Sequence, residues 1–154
     1  ICDSEGLAYD LDYIFGLPGE TAADHIEAAR KFSAFKRLNR VKCHNLVYYK
    51  GLAVTDYALR DGLISDSALP EPGDFFSGDR SSPAMRGANA AFRKLFKLYG
   101  MFGGRLLRFA AISGFWRVFR LAPGFAVKIL EALTGLARRD RRFLIYLKSY
   151  PRKI

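Results

Sequence analysis

The segment from Asp12 to Thr21, Asp-Tyr-Ile-Phe-Gly-Leu-Pro-Gly-Glu-Thr, restricts the possible folds of this chain more than any other. It ends a run rich in aromatic and β-branched residues, which favours a strand. Residues 16–19 then predict a tight turn, and Thr21 with Asp24 three residues later resembles a capping box at a helix start. In an α/β protein such a joint is where small ligands bind, because the carboxyl end of the strand meets the amide groups at the helix N-terminus.

Strand and helix signals alternate over residues 1–64. The predicted elements are a strand over residues 7–15, a helix from Thr21 to about Leu38, a strand from Val41 to Tyr49 and a short helix from about Ala53 to Arg60. Within the second strand, Cys43 and His44 face opposite ways and cannot easily share a metal. His44 could point into a barrel lumen and contact substrate or cofactor, but a packed or surface position is favoured. His25 is expected at the surface of the first helix. The alternation predicts a parallel α/β architecture with helices covering a sheet.

The rest of the chain divides into a linker and a helical extension. Residues 65–91 are rich in Ser, Pro, Gly and Asp, which predicts a loop-rich linker. Helical spacing of apolar residues starts at about Ala90 and is interrupted at Gly100, Gly103 and Gly104. Two stripes with aromatic residues are favoured for burial against something apolar: Phe92, Leu95, Phe96 and Tyr99; and Leu106, Phe109, Ile112, Trp116 and Phe119. A third helix is expected to carry Ile129, Leu130, Leu133 and Leu136. We therefore expect an all-helical extension over residues 92–154.

The stretch from Ile14 to Thr21, Ile-Phe-Gly-Leu-Pro-Gly-Glu-Thr, resembles the adenine-binding strand of the radical S-adenosylmethionine (radical SAM) superfamily. Ile14 and Gly16 match the Ile and the second Gly of the G-x-I-x-G-x-x-E pattern in that family. Asp12 stands at its first Gly, and its Glu position falls on the residue before Glu20. The form found here is a common variant of the segment in the superfamily.

A second match lies downstream, where residues 58–64, Ala-Leu-Arg-Asp-Gly-Leu-Ile, resemble the A-x-x-x-G-L-I segment of the family. Residues 50–52, Lys-Gly-Leu, replace the Pro-Gly-Thr that often precedes it. The resemblance covers residues 1–64 and is greatest to the cobalamin-binding class. It implies the C-terminal fragment of a partial (β/α) barrel with parallel strands. It also implies a 4Fe-4S cluster that cleaves S-adenosylmethionine to a 5′-deoxyadenosyl radical and, for the narrower class, cobalamin.

The resemblance and the residue chemistry together indicate a set of cofactor-binding positions. These are Ile14, Gly16, Pro18, Glu20, Leu46 and Tyr48. Ile14 can offer adenine a flat apolar wall, and Gly16 lets the backbone approach without a Cβ atom. Glu20 could bind a polar ligand or interact with the helix dipole. Leu46 and Tyr48 could line a cavity or pack in the core. No catalytic residue and no metal ligand is assigned to this chain.

The cysteines and the first residue bear on the extent of the protein. The Cys-x-x-x-Cys-x-x-Cys motif that holds the cluster in the family does not occur in the 154 residues. Cys2 and Cys43 are isolated, which predicts neither a disulfide framework nor a metal site and favours a reducing, cytoplasmic setting. The chain begins at Ile1, so we interpret it as a piece of a longer enzyme that is inactive alone. The substrate is not predicted.

Charge is divided unevenly along the chain. Residues 1–85 carry a net charge of −4 and residues 86–154 a net charge of +14. A basic segment favours an anionic partner. Three interpretations stay open: a bundle packed on the barrel with a solvated basic face, docking on an anionic membrane surface, and nucleic-acid binding. Helical spacing of the aromatic residues ranks them in that order. The alternative function is a non-enzymatic α/β scaffold whose basic helices dock peripherally on the membrane.

Overall fold

The computed structural model describes residues 1–66, 69 and 83–137, and this part of the chain is a mixed α/β structure. The elements in chain order are β1 (Tyr9–Phe15), α1 (Ala22–Ala34), β2 (Leu38–Asn45), α2 (Ala53–Arg60), α3 (Pro83–Lys97), α4 (Tyr99–Ile112), a 3-10 helix (Phe115–Arg120) and α5 (Gly124–Ala137). Within these ranges, no helix has both the length and the apolarity required to cross a bilayer.

The two strands pair in parallel and are connected through α1, as the alternation of strand and helix signals predicts. Tyr13 lies opposite Cys43 and Ile14 lies opposite His44, with one irregularity in register near the start of β1. Since the carboxyl ends of parallel strands lie at the same edge of a sheet, the turn after β1 and the segment after β2 are neighbours.

The first helix is shorter than predicted. It ends at Ala34, because Phe35 is extended (ψ 127°) and its ring packs edge-on against Tyr9 at 6.1 Å. Leu38, predicted as the last helical residue, instead begins β2 and is buried. A hydrophobic residue at the helix end therefore belongs to the sheet, and its apolar character alone does not distinguish the two positions.

The second strand also ends earlier than predicted, at Asn45 instead of Tyr49. The Leu46 N–H still donates to the Phe15 carbonyl at 2.7 Å, so the chain continues one hydrogen bond beyond the strand. Tyr48 follows outside the regular strand and is buried. Leu46 and Tyr48 were predicted to share one face of the strand. Both lie beyond it, so their orientation depends on their contacts with Phe15 and Gly16 and not on strand alternation.

One aromatic core lies between the sheet and the helices. The Tyr13 ring meets Phe32 and Phe96 edge-on at 5.7 and 5.1 Å, and Phe92 stacks on Trp116 at 4.7 Å. The first stripe predicted for the extension is buried in this core: Phe92, Leu95, Phe96 and Tyr99. Burial of each such side chain contributes about 1.5–3 kcal/mol. The residues of α3 and those of the sheet thus share a single core.

The helix α3 begins at Pro83, ahead of the predicted start at about Ala90 and inside the segment predicted as a linker. Proline suits the first turn of a helix because its missing N–H would be unpaired there in any case. Near the end of this helix, the Lys94 ammonium donates to the carbonyls of Phe119 and Ala122 at 2.9 and 2.6 Å. These bonds fix the end of the 3-10 helix against α3.

The helix α4 bends at Gly103, one of the three glycines predicted to interrupt it. Gly103 has φ 69° and ψ 172°, a conformation that other residues rarely adopt. After the bend, Gly104 lies directly against α1. A Cβ atom on Gly104 would come within 2.6 Å of the Ser33 Cα atom. The two helices therefore approach more closely than any larger side chain allows.

Because of this close approach, most of the second predicted stripe is not buried within the described part of the protein. The buried residues of α4 after the bend are Leu107, Ala110 and Ala111, whereas Leu106, Phe109 and Ile112 are exposed. Leu107 and Ala111 share a helix face with Gly104, so the face that packs is the one with small residues. In α5, Val127 is buried while Ile129, Leu130 and Leu133 are exposed. Trp116 alone of the second stripe is fully packed.

Candidate functional site

The turn after β1 is closed by two side chains that bond the same glycine. Gly16 has φ 91°, in the left-handed region that favours glycine. Its N–H donates to Glu20 Oε2 at 2.7 Å, and the Tyr48 hydroxyl donates to its carbonyl oxygen at 2.6 Å. Because both polar groups of this backbone are engaged, Gly16 is suited to meet a ligand by van der Waals contact over its bare Cα atom.

Glu20 and Tyr48 are buried supports of this turn. The Glu20 side chain is 4% exposed, and its Oε1 atom lies 3.8 Å from His25 Nδ1. Tyr48 is also 4% exposed. Burial, together with the nearby negative charge of Glu20, raises the pKa of Tyr48. Of the two interpretations left open by the sequence for Tyr48, packing around the turn is the one that its contacts favour.

Apolar side chains remain exposed at the edge beside this turn. Ile14 is 45% exposed and Leu17 is 49% exposed, one on each side of Gly16 in the sequence. Pro18 and Leu46 are half-buried. Leu17 was not among the predicted positions, although its place between two turn-forming residues already required it to lie at the surface. We call Ile14, Gly16 and Leu17 the β1 edge. It presents an apolar surface at the carboxyl end of the sheet.

The sheet has one covered face and one open face. Along β1, the residues that pack in the core are Leu11, Tyr13 and Phe15. By strand alternation, Asp10, Asp12 and Ile14 lie on the other face, together with Arg40, Lys42 and His44 of β2. The side chains described on this open face are charged or polar except for Ile14, which lies at its carboxyl end.

Asp10 is the centre of the charge pairing on the open face. Its Oδ2 atom lies 2.8 Å from Arg40 Nε and 3.4 Å from Lys42 Nζ. Partial burial would raise the pKa of Asp10, but the hydrogen bond and charge of Arg40, with Asn39 and Lys42, outweigh it and lower the pKa. Asp10 therefore stays ionised and holds the two cations over the sheet.

A second, more exposed pair lies further along the same face. His44 Nε2 is 3.0 Å from Asp12 Oδ1, with side chains 56% and 62% exposed. His44 is therefore an exposed residue of the open face. Cys43 faces the core, where its Sγ atom lies 3.8 Å from the Arg93 carbonyl oxygen. The two adjacent residues point to opposite faces, as predicted.

His25 is the polar residue whose position the sequence analysis misjudged. It is fully buried, whereas a surface position was expected. The Nε2 atom lies 2.8 Å from Asn89 Oδ1, and the Nδ1 atom lies 3.0 Å from the Tyr13 hydroxyl. With the Asn89 oxygen as acceptor, Nε2 carries the proton and Nδ1 accepts from Tyr13. The spacing of His25, Ala29 and Phe32 along one face of α1 is the signal that identifies it.

The residues present do not fit an iron–sulfur cluster. A 4Fe-4S cluster is held by cysteine thiolates, usually four. This chain has two cysteines; Cys2 is exposed and Cys43 packs beneath the sheet. Across residues 1–66, 69 and 83–137, no three His, Cys, Asp or Glu side chains are grouped to hold a metal ion. We therefore assign no metal chemistry to these side chains.

Comparison with protein-family models, with curated proteins and with solved structures finds no match to this chain.

Proposed function

We propose that this chain forms part of the barrel wall of a radical S-adenosylmethionine enzyme. In this proposal the open face of the sheet lines the barrel interior, and the β1 edge packs against the adenine of the cofactor. The observation that carries it is the one-sided sheet. Helices cover one face, whereas the other face is charged and ends in the exposed Ile14.

The charges on the open face favour a polar space over an apolar layer. Burying the Asp10, Arg40 and Lys42 cluster against hydrophobic side chains would cost the solvation of three charges, which pairing repays only in part. In barrel enzymes, helices form the outer layer and residues at the carboxyl ends of the strands reach the ligand. The arrangement of β1 and β2 with α1 outside them supports that placement.

Each residue of the turn has a defined role in this proposal. Ile14 provides the apolar wall for the adenine ring, and Gly16 admits the ring close to the backbone. Leu17 and the half-buried Pro18 extend the wall. Glu20 and Tyr48 bind the turn from within and hold it in position.

The proposal assigns neither the 4Fe-4S cluster nor cobalamin to residues of this chain. In the proposed enzyme a 4Fe-4S cluster would supply the electron for reductive cleavage of S-adenosylmethionine, and its cysteine ligands would not come from this chain. Half-buried Leu46 flanks the turn from the side of β2. Cobalamin is assigned to no residue of this chain, and the small-molecule substrate stays open.

Equilibrium dialysis of the full chain with radiolabelled S-adenosylmethionine tests the proposal. We expect weak but saturable binding. Ile14→Asp should weaken it by roughly tenfold or more, because the loss of one buried isoleucine contact is worth about 1.5–3 kcal/mol.

The matched control is Leu7→Asp, which changes another exposed aliphatic residue just before β1. This variant should bind the cofactor as the unaltered chain does. Absence of saturable binding, or equal weakening by both substitutions, would contradict the assignment of the β1 edge as the adenine site.

A further inference from the structure

The helices after residue 98 leave large apolar side chains in water. Those more than half exposed in α4, the 3-10 helix, the residue that follows it and α5 include Phe109, Phe115, Val118, Leu121, Phe125 and Leu133. Leu121 reaches 88% exposure. So many large exposed apolar side chains in one segment of a folded protein favour a surface with a partner.

This exposure is not a sign that the elements are detached from the protein. Leu107, Trp116 and Val127 are each buried, one in each of the three elements. Trp116 stacks on Phe92 of α3, and Lys94 holds the end of the 3-10 helix. Each element therefore has one anchored side, and its apolar residues project from the other.

Basic residues share the exposed side with these apolar residues. Arg105 and Arg108 are exposed on the same face of α4 as Phe109 and Ile112, by helical spacing. Lys128 in α5 is exposed as well, whereas the Arg117 guanidinium lies 5.2 Å from the centre of the Trp116 ring and the Arg120 guanidinium packs against Gly87 of α3. Residues 83–137 contain nine Lys or Arg and a single acidic residue, Glu131. The exposed surface is therefore both apolar and cationic.

We infer that this surface, formed by α4, the 3-10 helix and α5, docks on a lipid bilayer that contains anionic headgroups. Phenylalanine and leucine enter the boundary between headgroups and acyl chains, while arginine reaches the phosphates. Cations mixed among apolar residues suit a membrane interface, where each one near the surface adds attraction to anionic lipid.

A second copy of the chain and a nucleic acid fit this surface less well. Two copies would bring their arginines together, and like charges in an interface oppose association. Nucleic acid would pair the arginines with phosphates but would leave aliphatic residues such as Val118 and Leu121 without an apolar partner. The bilayer satisfies both the charge and the apolar area. The inference does not depend on the proposed cofactor site.

Co-sedimentation of the full chain with vesicles tests the inference. Phosphatidylcholine vesicles with phosphatidylserine should bind the chain, and vesicles of phosphatidylcholine alone should bind much less. Rising salt should release it, since screening weakens the electrostatic part. The double variants Phe109→Ser with Phe125→Ser, and Arg105→Gln with Arg108→Gln, should each lower partitioning by roughly tenfold or more.

The control is Leu63→Ser, which removes an exposed leucine outside this surface and should leave partitioning unchanged. Circular dichroism of each variant verifies that it is folded. The inference is overturned if binding does not depend on lipid charge, or if the chain does not bind the vesicles at all. It is also overturned if Leu63→Ser lowers partitioning as much as the double variants do. Light scattering that finds a dimer abolished by Phe109→Ser would identify a second copy as the occupant instead.

Discussion

His25 Nε2 lies 2.8 Å from Asn89 Oδ1, and this hydrogen bond joins α1 to α3 in the middle of the aromatic core. Both side chains are fully buried. The same imidazole accepts from the Tyr13 hydroxyl of β1. The buried imidazole of His25 thus connects α1, on which it lies, to both β1 and α3.

Replacing Asn89 with Leu should lower the free energy of unfolding by about 1–3 kcal/mol, because the His25 donor then loses a partner without regaining water. The His25→Phe variant should also be destabilised. The double variant should cost less than the sum of the two, since neither unmatched polar group remains. Urea unfolding of the three variants measures this coupling; additive costs would show that the bond contributes nothing.

Replacing Gly104 with Ala should destabilise the protein by about 1–3 kcal/mol, because the new methyl group overlaps the α1 backbone at Ser33. The same change at Gly124 is the control. No atom lies within 4 Å of a Cβ built there. Thermal unfolding should therefore separate the two variants. Equal melting temperatures would mean that α4 and α1 pack less closely than described.

Asp10 should make stability depend on acid pH. Its pKa is lowered in the folded state from the ordinary 3.8, so its contribution is complete above that pH and is lost as the pH falls through the folded-state pKa. Asp10→Asn should remove this part of the acid dependence and lower stability near neutral pH. Asp12→Asn, in the exposed pair with His44, is the comparison and should change stability less. Identical acid unfolding curves for the two variants would refute the role given to Asp10.

Tyr48→Phe should weaken the turn after β1 by about 1 kcal/mol, because the Gly16 carbonyl loses its buried donor. Amide hydrogen exchange at residues 16–20 should be faster in this variant than in the unaltered chain. Tyr57→Phe alters an exposed tyrosine in α2 and serves as the reference. If both variants exchange at the same rate in this turn, the Tyr48 bond does not stabilise it.

Sequence periodicity was sufficient to predict the elements whose buried face follows from the spacing of nearby residues. The strand–turn–helix joint at residues 9–34, the parallel pairing and the buried stripe of α3 follow from alternation and helical spacing. The Thr21–Asp24 cap was also predictable: the Asp24 carboxylate accepts from the Thr21 N–H and hydroxyl at 2.8 and 2.7 Å. These features depend on residues close together in the chain.

The errors arose where distant contacts decide which face is buried. Hydrophobicity ranked Phe109 and Ile112 as core, but the contact at Gly104 turned the small residues of α4 inward. His25 was placed at the surface because it lies in the first turn of α1, although Asn89, far along the sequence, supplies a buried partner. The turn around Gly16 was predictable from the sequence. Its internal bonds were not, because Glu20 and Tyr48 could equally have faced a ligand.

The account depends most on the claim that the β1 edge receives an adenosyl group. Nuclear magnetic resonance titration of the full chain with S-adenosylmethionine, following the Ile14 and Leu17 methyl groups and the Gly16 amide, tests it directly. We predict saturable shifts at these three residues and unchanged signals from the exposed methyl groups of α4 and α5. Unchanged signals at the β1 edge across the titration, or shifts confined to the basic helices, would contradict it.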